Sequence, residues 1–116
     1  MNADYQIKWA KVAESDLAEI IEYIMQNSPV TANELFKKIK IKTENLALLP
    51  DRGRIVPELL SQGISLYREI IIAPWRVIYR IVEKTIFILA VIDSRRNIED
   101  VLLERLIRTN NENPLP

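Results

Sequence analysis

Between Arg68 and Arg96 the chain offers three runs of Ile, Val and aromatic residues, parted by two short breaks at Ala73-Pro74 and Glu83-Lys84. β-Branched and aromatic side chains suit a pleated, half-buried surface, so this spacing predicts three strands joined by tight turns, an antiparallel meander from about Ser65 to Asp93. The last run, Ile86-Phe87-Ile88-Leu89-Ala90-Val91-Ile92, shows no alternation, which predicts a central strand covered on both faces. The rest of the chain must supply the two covers.

Upstream, Tyr5 to Trp9 alternates apolar and polar residues and reads as a short strand, a fourth if it joins the sheet. Leu17, Ile20, Ile21 and Ile24 then form one stripe of an amphipathic helix over about Lys11 to Gln26. Glu14, Asp16, Glu19 and Glu22 make its start and outer face acidic, and Asp16 and Glu19 read as solvated carboxylates. At Asn27-Ser28-Pro29 the helix stops and another begins, with Ser28 as cap and Pro29 in the first position. Ala32, Leu35, Phe36, Ile39, Thr43 and Leu46 stripe this second helix, which is expected to end near Leu49. Lysines 37, 38, 40 and 42 line its flank, so the two helices make an antiparallel hairpin with an acidic and a basic rim. Asp51 to Gly63 holds both glycines of the chain and is the longest irregular stretch, with a short helical turn at Pro57 to Leu60. Ile98, Val101, Leu102 and Leu106 mark a closing helix over about 97–108, the second cover of the sheet, and 109–116 reads as a frayed tail. The fold class is α+β: a first strand and helical hairpin on a small antiparallel sheet of three to four strands, with a helix at the carboxyl end. Leu17, Ile21, Phe36, Ile39, Phe87, Leu89 and Val91 are expected where hairpin meets sheet.

A chain of 116 residues with 48% apolar content suits one domain spanning 1–116. Its longest apolar runs are far shorter than a membrane span, and no leader pattern opens the chain, so a cytoplasmic protein is expected. There is no cysteine and no histidine. Disulfides, thiolate chemistry and an imidazole base are thereby excluded, and neither a metal nor a cofactor is expected.

Charge is balanced overall but divided by type. Residues 1–50 carry six lysines and no arginine, whereas 51–116 carry nine arginines and one lysine. Arginine presents a planar fork suited to phosphate and carboxylate, so candidate recognition chemistry lies in the second half. Along Trp75 to Val82, alternation sets Arg76 and Arg80 on one face, about 13 Å apart at the usual strand rise, and Tyr79 on the other. Arg95 and Arg96 follow the next strand. Such guanidinium groups hold phosphates or receive an acidic peptide, and they equally pair with carboxylates such as Glu69, Glu83, Asp93 and Glu99.

In order along the chain, Ile7-Lys8-Trp9, Ala13, Asp16-Leu17, Ile20, Tyr23-Ile24, Ser28-Pro29, Leu46, Leu49-Pro50 and Gly53-Arg54 lead to Tyr67-Arg68-Glu69. Trp75-Arg76-Val77-Ile78-Tyr79-Arg80, Ile88 to Ile92 and Arg95-Arg96 complete the series. This ordered set, over residues 5 to about 108, resembles the RelE/ParE superfamily of toxins from bacterial toxin–antitoxin modules. The resemblance implies the hairpin-on-sheet fold and a cognate antitoxin as partner, with a heterotetramer as one assembly. It also implies one of two targets. RelE-like members are ribosome-dependent mRNA endonucleases; ParE-like members are described as DNA gyrase inhibitors. Where a late catalytic tyrosine would fall, this chain has Ile98, Val101 and Leu102, which favours the ParE-like side; a member that only binds its antitoxin is a third reading. A nuclease would use Arg54, Arg76, Arg80 and Arg95. The binding set under either reading is Arg52, Arg54, Arg68, Arg76, Arg80, Arg95, Arg96 and Tyr79.

Overall fold

In the computed structural model, which describes residues 5–112 with side chains up to Arg105, the uninterrupted apolar run is indeed the middle of the sheet. The strands are β1 (Gln6–Trp9), β2 (Arg54–Ile55), β3 (Tyr67–Ile72), β4 (Trp75–Val82) and β5 (Thr85–Asp93), arranged in the order β1-β5-β4-β3-β2. The helices are α1 (Lys11–Met25), α2 (Pro29–Glu44), α3 (Pro57–Leu60) and α4 (Ile98–Glu112). The sheet thus has five strands instead of three or four, and it is mixed instead of antiparallel. β1 pairs in parallel with β5, Gln6 opposite Thr85 and Trp9 opposite Ile88. Everything from the α1–α2 hairpin to β4 lies between these two strands, a connection long enough for such a parallel pairing. The fifth strand, β2, is only two residues long and lay inside the stretch read as irregular; nothing so short carries a period.

The caps follow the local chemistry. Ser28 Oγ accepts the Thr31 N–H at 3.2 Å, and Pro29 opens α2. That helix ends at Glu44, short of the expected Leu49, and tightens into a 3-10 turn at Asn45–Ala47. At the other end of the chain α4 runs past Arg108 to Glu112; residues 113–116, part of the expected tail, lie outside the described residues. The expected ionic match of the hairpin rims is not found: among the described residues no ion pair joins α1 to α2. Apolar packing holds them instead, through Ala13, Leu17 and Ile39.

A bulge decides which side chains face which cover. Tyr79 pairs with Ile88 and Ile78 with Ala90, so Leu89 is an extra residue in β5 and the alternation shifts phase there. Ile86, Ile88 and Val91 face the hairpin together with Val77 and Tyr79 of β4. Phe87, Leu89 and Ile92 face the other way with Ile78, against Ile98, Val101 and Leu102 of α4 and Leu59 of α3. Phe87 and Leu89 therefore belong to the α4 layer and not to the hairpin layer. Phe36, also expected in the core, is 42% exposed and lines a hollow with Trp9, Leu17 and Ile21.

Candidate functional site

Glu69 on β3 organises the α4 side of the sheet near its β2 edge. Its side chain is fully buried and accepts from Arg54 Nε at 2.8 Å, from Arg76 Nε at 2.6 Å and from Arg76 Nη2 at 2.9 Å. Arg76, itself 6% exposed, also donates Nη1 and Nη2 to the two oxygens of Glu58 on α3 at 2.8 and 2.7 Å. A buried guanidinium needs its charge answered and its N–H groups filled, and two carboxylates do both. The Arg76 hydrogen bond holds the Glu58 carboxyl at about 2, below its ordinary 4.5, and the same contacts push Arg76 up. Arg76 is thus a tie between β4, β3 and α3. It has no face to offer a ligand.

Tyr79, on the opposite face, is a pin. Its hydroxyl donates to the Pro50 carbonyl at 2.7 Å and accepts the Gly53 N–H at 2.9 Å, and burial pushes its pKa up. Gly53 is required by this approach: a Cβ there would lie 2.5 Å from the Glu69 carbonyl oxygen and 2.6 Å from the Tyr79 oxygen. Arg68 completes the clasp, donating to the Gly53 carbonyl at 2.8 Å and standing 3.7 Å from Asp51. Arg54 keeps more of itself in solvent than these, with its side chain 59% exposed. Arg52 is exposed and makes no ion pair among the described residues.

The other cations lie elsewhere. Arg80 stands between Tyr67 of β3 and Phe87 of β5 by register, and its Nε is buried with no partner among the described residues. Arg95 is exposed and chelates Asp93 of its own turn, Nε at 2.9 Å and Nη2 at 2.5 Å, drawing the Asp93 carboxyl down to about 2. Arg96 is exposed beside it. The sequence-predicted set is therefore divided into a clasp at the β2 edge, one arginine on the sheet face and a pair at the far end of β5.

Two features escaped the sequence reading. Asp16, taken for a solvated carboxylate, is 14% exposed in its side chain. Its Oδ2 accepts the Val91 N–H at 3.0 Å, and both its oxygens take the Arg105 fork at 3.0 and 2.7 Å. It fills a β5 amide that lies beyond the end of β1 and binds α1 to α4. The second feature is a hollow of about 410 Å3 between α2 and the β2–β3 edge, lined by Ile41, Lys42, Arg52, Arg54 and Ile70 among others. Lys42 belongs to the helix flank expected to be solvated, and no short-range signal sets it apart from its neighbours. No cluster of carboxylates able to hold a metal occurs among the described residues.

Three comparisons place the chain. Residues 7–98 match the family described as the ParE toxin of the type II toxin–antitoxin system parDE. Over 73 residues, 63% of this chain and 75% of the relative, it is 34% identical to Toxin RelE2 of Caulobacter vibrioides. A solved structure titled "Chromosomal ParDE TA system from P. aeruginosa" shares the fold, with a TM-score of 0.66 at 20% identity over 79% of this chain and 98% of that one. With the matched family spanning the first strand to the start of α4, the chain belongs to the ParE toxins of type II toxin–antitoxin systems, within the RelE/ParE superfamily.

Proposed function

We propose that the chain arrests growth by binding DNA gyrase and not by cutting RNA, and that a cognate antitoxin neutralises it. The observation that carries this reading is the engagement of Tyr79, Glu58 and Glu69 beside the cations. Tyr79 gives its proton to Pro50 and receives one from Gly53. Glu58 and Glu69 are held by arginines, and the chain has no histidine. A nuclease that uses the RNA 2′-hydroxyl needs a group within reach to take its proton. Arg52, Arg80 and Arg96 remain for an acidic partner surface, where charge-assisted contacts are the strong ones.

Expression of the chain without its antitoxin tests this. Plasmid supercoiling is expected to fail while transcripts stay intact, and the triple variant Arg52→Gln, Arg80→Gln, Arg96→Gln should fold yet no longer arrest growth. Transcripts cut on the ribosome would make the chain an mRNA interferase instead. A folded triple variant that arrests growth at the wild-type dose would remove these arginines from the working surface.

A further inference from the structure

The helical hairpin turns one face to the sheet and leaves the other uncovered by the described residues. Ala18, Glu22 and Met25 share a side of α1 at i, i+4 and i+7, and Asn33, Lys37 and Lys40 share a side of α2 at the same spacing. Where these sides meet lies a hollow of about 440 Å3, walled by Leu17, Ala18, Ile21 and Phe36. Phe36 is 42% exposed and Met25 50%, so large apolar side chains stand in solvent at and beside it.

The rims of this hollow carry opposite charge and leave it unspent within the chain. Glu14 and Glu22 line the α1 side and Lys40 the α2 side, with Lys37 one turn before Lys40. None of the four makes an ion pair among the described residues, and the Lys40 ammonium stands 5.8 Å from the centre of the Trp9 ring. A nucleic acid would meet repulsion at Glu14 and Glu22. A basic helix would suit the α1 rim and clash with the α2 rim, and an acidic helix the reverse. A partner divided in the same way answers both, and a second copy of the chain is such a partner. A half-turn about an axis parallel to the helices sets α1 of each copy over α2 of the other. Glu14 and Glu22 of each then face Lys37 and Lys40 of the other, and the two hollows close on one another with Phe36 entering from both sides. The product is a four-helix layer between two sheets.

We propose that the chain forms a two-fold dimer through the outer face of its α1–α2 hairpin, whatever target it acts on. Sedimentation of the purified full chain should shift from the mass of one chain to that of two as concentration rises. The variant Lys37→Glu, Lys40→Glu and the variant Glu14→Lys, Glu22→Lys should each weaken self-association by about 100-fold or more, since each sets like charges together on both sides of the axis. Their melting temperatures should match that of the wild type, because the reversed groups are exposed. Mixed in equal amounts, the two variants should pair with each other about as tightly as the wild type pairs with itself. A wild type that stays monomeric up to about millimolar concentration overturns the proposal. So do folded variants that dimerise alone as the wild type does, or that fail to pair when mixed. Should a variant not fold, the wild type decides by itself. In a sample mixed from 13C-labelled and unlabelled chains, the Phe36 ring of one copy should show nuclear Overhauser contacts to apolar side chains of the hollow in the other, and a dimer without them lies on another face. Hairpin signals of a monomeric chain that shift only when the antitoxin is added would give this face to that partner and overturn the dimer.

Discussion

Arg76 and Arg96 are the same residue type, one within the sheet and one in the turn beyond it, and their surroundings make them different components. Arg76 lies among Glu58, Glu69 and the strand beneath it, its charge answered twice. Arg96 stands in solvent at the end of β5 with no ion pair among the described residues. Arg54 and Arg68 fall with the first, Arg52 with the second. What separates the groups is a carboxylate across the strand or on α3, which sequence spacing along one strand does not reveal. The inner arginines belong to the fold, and the outer ones are those proposed to meet a partner.

Three measurements would sharpen or break that division, from the largest expected effect to the smallest. Glu69→Ala leaves buried Arg76 with only Glu58, and removing one partner from a buried ion pair costs about 3–5 kcal/mol. Chemical denaturation should show that loss; a change under about 0.5 kcal/mol, the range of surface substitutions, would move Glu69 and Arg76 out of the structural group. Tyr79→Phe removes one hydroxyl and strands the Pro50 carbonyl and the Gly53 N–H, at a cost of about 1–3 kcal/mol for buried groups left unsatisfied. It should also raise amide exchange at Gly53 without altering β4. The smallest effect is an acid one. The Glu58 carboxyl titrates at about 2 in the folded chain and at its ordinary 4.5 when unfolded. Its contribution is therefore complete above pH 4.5 and fades as pH falls toward 2. Wild type should lose more stability through that window than Glu58→Gln does, and parallel curves would show that Glu58 is not coupled to Arg76.

Much of the fold was legible because its signals are local. The Ser28-Pro29 restart, the α1 stripe and the unbroken β5 run each state themselves within a few residues. The alternation on β4 likewise set Arg76 and Arg80 on the face opposite Tyr79. What sequence reading missed depends on partners far away in the chain. The bulge at Leu89 moved Phe87 and Leu89 into the α4 layer, β2 exists only because β3 holds it, and Asp16 is half-buried with Arg105 of α4 arriving over it. In the site, the arginines were identifiable by residue type, but their separation into structural and solvent-facing members follows from Glu58 and Glu69. Lys42 acquires its place only from the hollow beside β3.

A chain leaving the ribosome amino end first has β1 and the hairpin in hand long before their counterparts. Asp16 waits 75 residues for the Val91 amide and 89 for Arg105. At roughly 5–20 residues per second, the first of those waits is on the order of 4–15 s. Until β5 emerges there is no strand for β1 to join and no inner wall for the hairpin to rest on. Until α4 follows, the far side of the sheet that carries Arg80 is bare of its cover. A nascent chain thus lacks its completed sheet for most of its own synthesis, and a message cut short before Arg105 yields a fragment that lacks the latch between its first helix and its last. The interval gives a partner already present in the cell time to be there when the sheet closes.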